Sequence, residues 1–126
     1  ACAGSMLGSG GVTVMQEGTD MVWAALRLME FFYHESCGKC SPCREGSSWL
    51  VQIMRRIVNK RGQMADLETL TDLCKNIAGR TVCAFGDAEV SPILSTLKHW
   101  RHEYVAMIHA AEAANLIRPE PAGAKH

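Results

Sequence analysis

Three cysteines stand at C-x2-C-x2-C spacing, Cys37, Cys40 and Cys43 in the run SCGKCSPCREG, and a fourth, Cys83, lies in TVCAFGD. Three thiols this close can hold three corners of a cubane from one short loop, and a distant fourth closes the cage. That is the ligand pattern of a [4Fe–4S] cluster, which points to electron transfer rather than bond-making chemistry. Thiolates also suit zinc. Structural zinc more often takes two knuckles that each supply two ligands, whereas here one loop offers three and another offers one. Iron–sulfur ligation is favoured, with zinc and unligated core thiols as the alternatives.

The residues around the thiols fit the same chemistry. Gly38 can serve the loop by taking a positive φ or by letting backbone N–H groups approach the sulfides. Ser41-Pro42 reads as the cap and first position of a helix whose positive end would face the cluster. Lys39 and Arg44 add positive charge nearby, which stabilises a reduced, more negative centre. Two cysteines are left over. Cys74 sits on an apolar stripe between Leu70 and Ile77 and reads as a small buried hydrophobe, and Cys2 has no evident role.

Nothing else in the chain composes a reactive site. His34 reads as a helix-end residue, and His99, His102 and His109 as surface residues without a matching thiol or acid. Asp87 and Glu89 look like acids at a helix start. No Ser/His/Asp or Cys/His catalytic set can be assembled. The segment GSMLGSGGVTV is glycine-rich, but its glycines precede a strand-like run instead of following one, unlike a dinucleotide fingerprint. It reads as a turn into a β-strand at Val12–Met15.

Composition sets the bounds. The chain has 126 residues and 48% hydrophobic content, enough for one domain with a real core. Thirteen basic residues balance thirteen acidic ones, so nothing marks nucleic acid or an anionic membrane as partner. The basic bunch Arg55, Arg56, Lys60 and Arg61 reads as a helix C-terminus complementing its dipole. Arg27 and Glu30 interrupt the longest apolar run, which falls short of a bilayer span. With no signal-peptide pattern and tight cysteine spacing, a reducing, cytoplasmic setting is expected.

Four amphipathic helices must position the thiols. Thr19 or Asp20 caps the first, MVWAALRLMEFFYHE, with Val22, Ala25, Leu26, Met29 and Tyr33 on its apolar stripe. The second carries Trp49, Leu50, Ile53, Met54 and Ile57 and ends near Gly62. The third covers Asp66–Ala78, with Leu67, Leu70, Cys74 and Ile77 on one face. Ser91-Pro92 opens the fourth, with Ile93, Leu97, Trp100, Tyr104, Met107/Ile108 and Ala111 in register. The expected fold is mainly α: an antiparallel four-helix bundle carrying the cluster at one end, behind a short glycine-rich turn and β-strand. In an up-down bundle the first and third interhelix loops share a pole, so Cys83 can meet the other three thiols. Residues 1–17 read as the tail of a preceding domain and linker, a cut edge; 18–112 are the bundle, and 113–126 a flexible tail.

GSMLGSGGV, ESCGKCSPCREG and TVCAFGDAEVSPILSTLKHWRHEY resemble the C-terminal part of the NADH-binding flavoprotein subunit of respiratory complex I, over about Gly4 to Tyr104. Diaphorase subunits of NAD-dependent formate dehydrogenases and NAD(P)-linked hydrogenases share that module. The resemblance implies a parent subunit that binds NADH and FMN in an upstream Rossmann-like domain. A ubiquitin-like domain follows, with about Gly4 to Met15 resembling the stretch where the chain leaves it, and then a [4Fe–4S] bundle whose ligands match Cys37, Cys40, Cys43 and Cys83. It implies an electron relay, from reduced FMN through the cluster toward other iron–sulfur subunits and quinone or another acceptor. The family's nucleotide and flavin motifs have no counterpart here, so the resemblance assigns no hydride-transfer residue to this sequence.

Overall fold

The computed structural model describes residues 8–116. These residues form five α-helices: α1 (Met21–Glu35), α2 (Ser41–Val58), α3 (Met64–Ile77), α4 (Phe85–His99) and α5 (Arg101–Leu116). The mainly α class is as expected. The strand is not: there is none among the described residues, and Val12 and Val14 are exposed within an unpaired stretch. Hydrophobic alternation alone does not make a strand where no neighbouring edge accepts its hydrogen bonds.

The first three helices lie close to their predicted places. Asp20 caps α1 by accepting the Trp23 N–H at 2.9 Å, and Val22, Ala25, Leu26 and Met29 are buried. Tyr33, placed on that stripe from sequence, is exposed. The N-cap of α2 is Cys40, one residue before the expected Ser41, with Pro42 still in the first turn. The helix stops at Asn59, short of Gly62, and Trp49 lies outside the core, 52% exposed. A reciprocal pair starts α3, Gln63 with Asp66, and Leu67, Leu70, Cys74 and Ile77 are all buried.

The last predicted helix is two. Ser91-Pro92 does not open α4; Pro92 sits inside it, two turns after Phe85. Proline forfeits one intrahelical bond there, but the face Gly86, Glu89, Val90, Ile93 and Leu97 is buried and outweighs that loss. The helix breaks at Trp100, whose φ of −128° and ψ of 30° end the regular ladder. Thr96 and Tyr104 bridge the break with a buried 2.8 Å hydrogen bond between their hydroxyls.

Helix α1 packs on α2 and α4, α2 on α3, and α3 on α4, while α5 lies against α1, α2 and α4. Each fully buried aliphatic side chain of this core contributes roughly 1.5–3 kcal/mol over its exposed state. Two of the bunched arginines turn out to bind across helices as well as cap one. Arg55 pairs with Glu30 of α1 at 2.8 Å, and Arg56 pairs with Asp66 of α3. The Met21 N–H donates to the Glu103 carboxylate of α5 at 2.8 Å. No helix among the described residues is long and apolar enough to cross a membrane.

Candidate metal centre

The α1–α2 loop is shaped by its own ends. Ser36 caps α1, its N–H donating to Phe32 O at 3.0 Å. Gly38 then takes φ +70°, the left-handed turn that glycine enters at least cost. Cys40 follows as the N-cap of α2, and Cys43 lies in the first turn of the helix. Arg44 reaches back over the loop, donating from Nη1 to Gly38 O at 3.2 Å and from Nη2 to Ser41 Oγ at 3.4 Å. The first turn of α2 carries neither an acid nor a side-chain cap, so its amides and dipole favour negative charge beside the cysteines.

The α3–α4 loop is pinned from both sides. The Gly79 N–H donates to Asp87 Oδ1 at 2.8 Å, and Thr81 Oγ1 donates to Cys83 O at 2.7 Å. Gly86 packs directly beneath Thr81, where a Cβ would fall 2.9 Å from the threonine Cβ. These contacts fix where Cys83 stands.

Together the loops enclose a cavity of about 340 Å³ lined by Cys37, Cys40, Cys43 and Cys83, with Lys39, Thr81 and Phe85 among its other walls. All four cysteines of the sequence motif thus face one space. Cys37 and Cys83 are exposed, Cys40 is half-buried, and Cys43 is buried. Phe85 stacks edge-on against Phe32, centroids 5.5 Å apart, joining α4 to α1 beside the cavity. Two larger clefts, of about 730 and 930 Å³, contain neither cysteine nor histidine.

Among the described residues, no three His, Cys, Asp or Glu side chains are gathered closely enough to hold one metal ion. A tetrahedral zinc would need its thiolates about 2.3 Å away. Four thiols lining one cavity are a donor set that suits a [4Fe–4S] cluster, in which each sulfur meets a different iron.

Cys43 has the most distinctive surroundings. Its Sγ lies 3.2 Å from Ser36 Oγ and 3.5 Å from Glu89 Oε2. Burial raises its thiol pKa; the Ser36 hydrogen bond works against that rise and the Glu89 charge adds to it. Glu89 itself is wholly buried, and its Oε1 has no hydrogen-bond partner among the described residues. Burial pushes its carboxyl up to about 7, with the Cys43 hydrogen bond opposing.

Glu89 is the residue the sequence reading misplaced. Starting the last helix at Ser91 left it as an acid at a helix start, whereas α4 begins at Phe85 and turns position 89 inward with Gly86, Val90 and Ile93. The clue available was spacing: 86, 89, 90, 93 and 97 form one helical face only if the helix starts before the proline. Asp87 does stand in the first turn of α4. Cys74 lies in the hydrophobic core and does not line the cavity, its thiol pushed up to about 12 by burial. His34, His99, His102 and His109 are exposed. Cys2 falls outside the described residues.

Comparison with known proteins gives concordant results. Residues 23–107 match the family model described as the NADH-ubiquinone oxidoreductase-F iron-sulfur binding region. The F 2 subunit of NADH-quinone oxidoreductase from Rhizobium meliloti is 55% identical over 106 residues, 84% of this chain and 25% of that protein. The F subunit of the Streptomyces coelicolor NADH-quinone oxidoreductase is 53% identical over 102 residues, 81% of this chain and 23% of that one. The chain therefore spans about a quarter of the length of these relatives. Among solved structures, an NAD+-reducing [NiFe]-hydrogenase in the H2-reduced state superposes with a TM-score of 0.72 at 28% identity, over 75% of this chain and 16% of that one.

Proposed function

The chain belongs to the NADH-ubiquinone oxidoreductase-F iron-sulfur binding region family, and from that premise we propose that Cys37, Cys40, Cys43 and Cys83 together hold one [4Fe–4S] cluster in the flavoprotein subunit of an NADH dehydrogenase. The observation that carries this is the convergence of thiols from two loops, forty positions apart, on one cavity of about 340 Å³. When bound, such a cluster supplies one-electron redox chemistry, turning a two-electron donor into single-electron traffic.

The chain's own residues have three tasks. The four thiolates hold the group in place between two loops that α1–α4, read as an antiparallel bundle, keep at one pole. Arg44 and the first turn of α2 offset negative charge that arrives with an electron. Cys43 and Phe85 wall the inner side, while Cys37, Cys83 and the 80% exposed Val82 leave the outer edge accessible to a redox partner.

In this reading, NADH and FMN bind an upstream domain of the parent subunit, and electrons leave toward other iron–sulfur subunits and quinone or another acceptor. Residues 18–112 are the cluster domain, 1–17 join it to a preceding ubiquitin-like domain, and 113–126 are its tail. The parent would sit in the cytoplasm, in the peripheral arm of a membrane complex. A second reading, a diaphorase component of a soluble formate dehydrogenase or hydrogenase, draws support from the likeness to the NAD+-reducing hydrogenase. Both readings share the cluster; a zinc docking module does not.

Cys83→Ser and Cys74→Ser in the complete flavoprotein test the ligand set. The first should remove or convert the EPR signal of the reduced cluster and lower iron and acid-labile sulfide, and the second should leave both intact. The reverse pattern would overturn the assignment.

A further inference from the structure

We propose that Ser36 is a positioning residue for electron transfer: its hydroxyl donates to the Cys43 sulfur and thereby raises the cluster's reduction potential. This rests on the cluster reading above and deepens it. Ser36 is held by α1 rather than by the loop, because it is the C-cap and its N–H donates to Phe32 O at 3.0 Å. Its Oγ lies 3.2 Å from Cys43 Sγ and accepts the Gly38 N–H at 3.4 Å.

Those two contacts fix the direction of the proton. A cysteine that ligates iron is a thiolate, able to accept but not to donate. The Gly38 amide occupies one side of the oxygen, so the hydroxyl proton goes to sulfur. Glu89 approaches the same sulfur at 3.5 Å; protonated it is a second donor, and ionised it only adds negative charge. Ser36 donates in either case. Among the described residues, Cys43 is the one proposed ligand whose sulfur has a side-chain hydroxyl within hydrogen-bond distance. The contact is partly buried, and a shielded donor to an anionic acceptor is stronger than one in water. Reduction adds negative charge to the cluster and its sulfurs, so the donor stabilises the reduced state more than the oxidised one. Hydrogen bonds to sulfur are among the established determinants of cluster potential.

The test is an anaerobic redox titration of the complete flavoprotein, read by EPR of the reduced cluster, for wild type, Ser36→Ala and Ser36→Thr. Iron and sulfide content are measured in parallel. At a fixed applied potential, Ser36→Ala should lower the reduced-to-oxidised ratio about tenfold, a downward shift of about 59 mV for a one-electron couple. Ser36→Thr keeps the hydroxyl and should return most of that shift. Equal midpoints for wild type and Ser36→Ala at equal iron content would overturn the proposal. So would an alanine variant that loses iron while its remaining clusters titrate at the wild-type midpoint, since that result means a cap and nothing more. Wild-type protein holding no iron–sulfide at all would instead bring down the cluster reading, and this inference with it.

Discussion

Replacing Gly86 by alanine sets two effects against each other, and the geometry decides between them. In a helix interior, Gly→Ala ordinarily stabilises by about 1 kcal/mol, and by less at Gly86, the second residue of α4. At position 86 a Cβ would fall 2.5 Å from Thr81 Oγ1 and 2.9 Å from Thr81 Cβ, and closer still to its methyl group. Such overlap is relieved only if Thr81 moves, and overpacking of this kind costs about 1–3 kcal/mol. Because Thr81 Oγ1 donates to the Cys83 carbonyl at 2.7 Å, its displacement also carries a proposed ligand away from the other three. Gly86→Ala should therefore destabilise on balance, by up to about 2 kcal/mol after the helix gain is subtracted, and reduce iron retention. Urea unfolding and iron content measure the two effects. Thr81→Ala in the same chain removes the methyl and hydroxyl that overlap and should recover part of the stability. A single Gly86→Ala variant more stable than wild type, with full iron content, would show that the loop is not pinned as described.

Further outcomes follow from the same contacts. In protein stripped of iron by a chelator, the folded-state pKa of Glu89 lies near 7, above its ordinary value of 4.5. A carboxyl raised in this way contributes fully below pH 4.5 and loses its contribution as pH rises toward 7. Stability should then fall between about pH 4.5 and 7 by on the order of 3 kcal/mol, and Glu89→Gln should flatten that slope in urea titrations; parallel slopes refute it. Tyr104→Phe removes the buried hydroxyl bonded to Thr96 and should cost about 1 kcal/mol, because Thr96 keeps its bond to Pro92 O; a loss above about 3 kcal/mol would mean a larger role at the α4–α5 break. Arg55→Ala breaks an ion pair with a 55% exposed guanidinium and should change stability by no more than about 1 kcal/mol, less at high salt.

The thiol motif was legible because ligation constrains residue type and spacing together, and one cavity gathers all four predicted cysteines. The third helix was legible because Leu67, Leu70, Cys74 and Ile77 repeat at the helical period and are all buried. The α4–α5 region was not. Ser-Pro is a strong local signal for a helix start, and it was overridden by burial of Glu89, Val90 and Ile93 on a face that begins at Gly86, before Ser91-Pro92. That single misplaced boundary hid Glu89. Trp49 and Tyr33 misled for a related reason, since each falls near an apolar stripe yet points past its edge. Ser36 carried no sequence signal as a partner of Cys43, because their approach depends on how Gly38 turns the chain.

The most direct measurement is iron, zinc and acid-labile sulfide per chain in the anaerobically purified complete flavoprotein, with any clusters held by other domains subtracted by comparison with a variant lacking all four cysteines. About four irons and four sulfides should disappear together in that variant. Zinc in the wild type at this site, with no difference in sulfide, would contradict the account at its root.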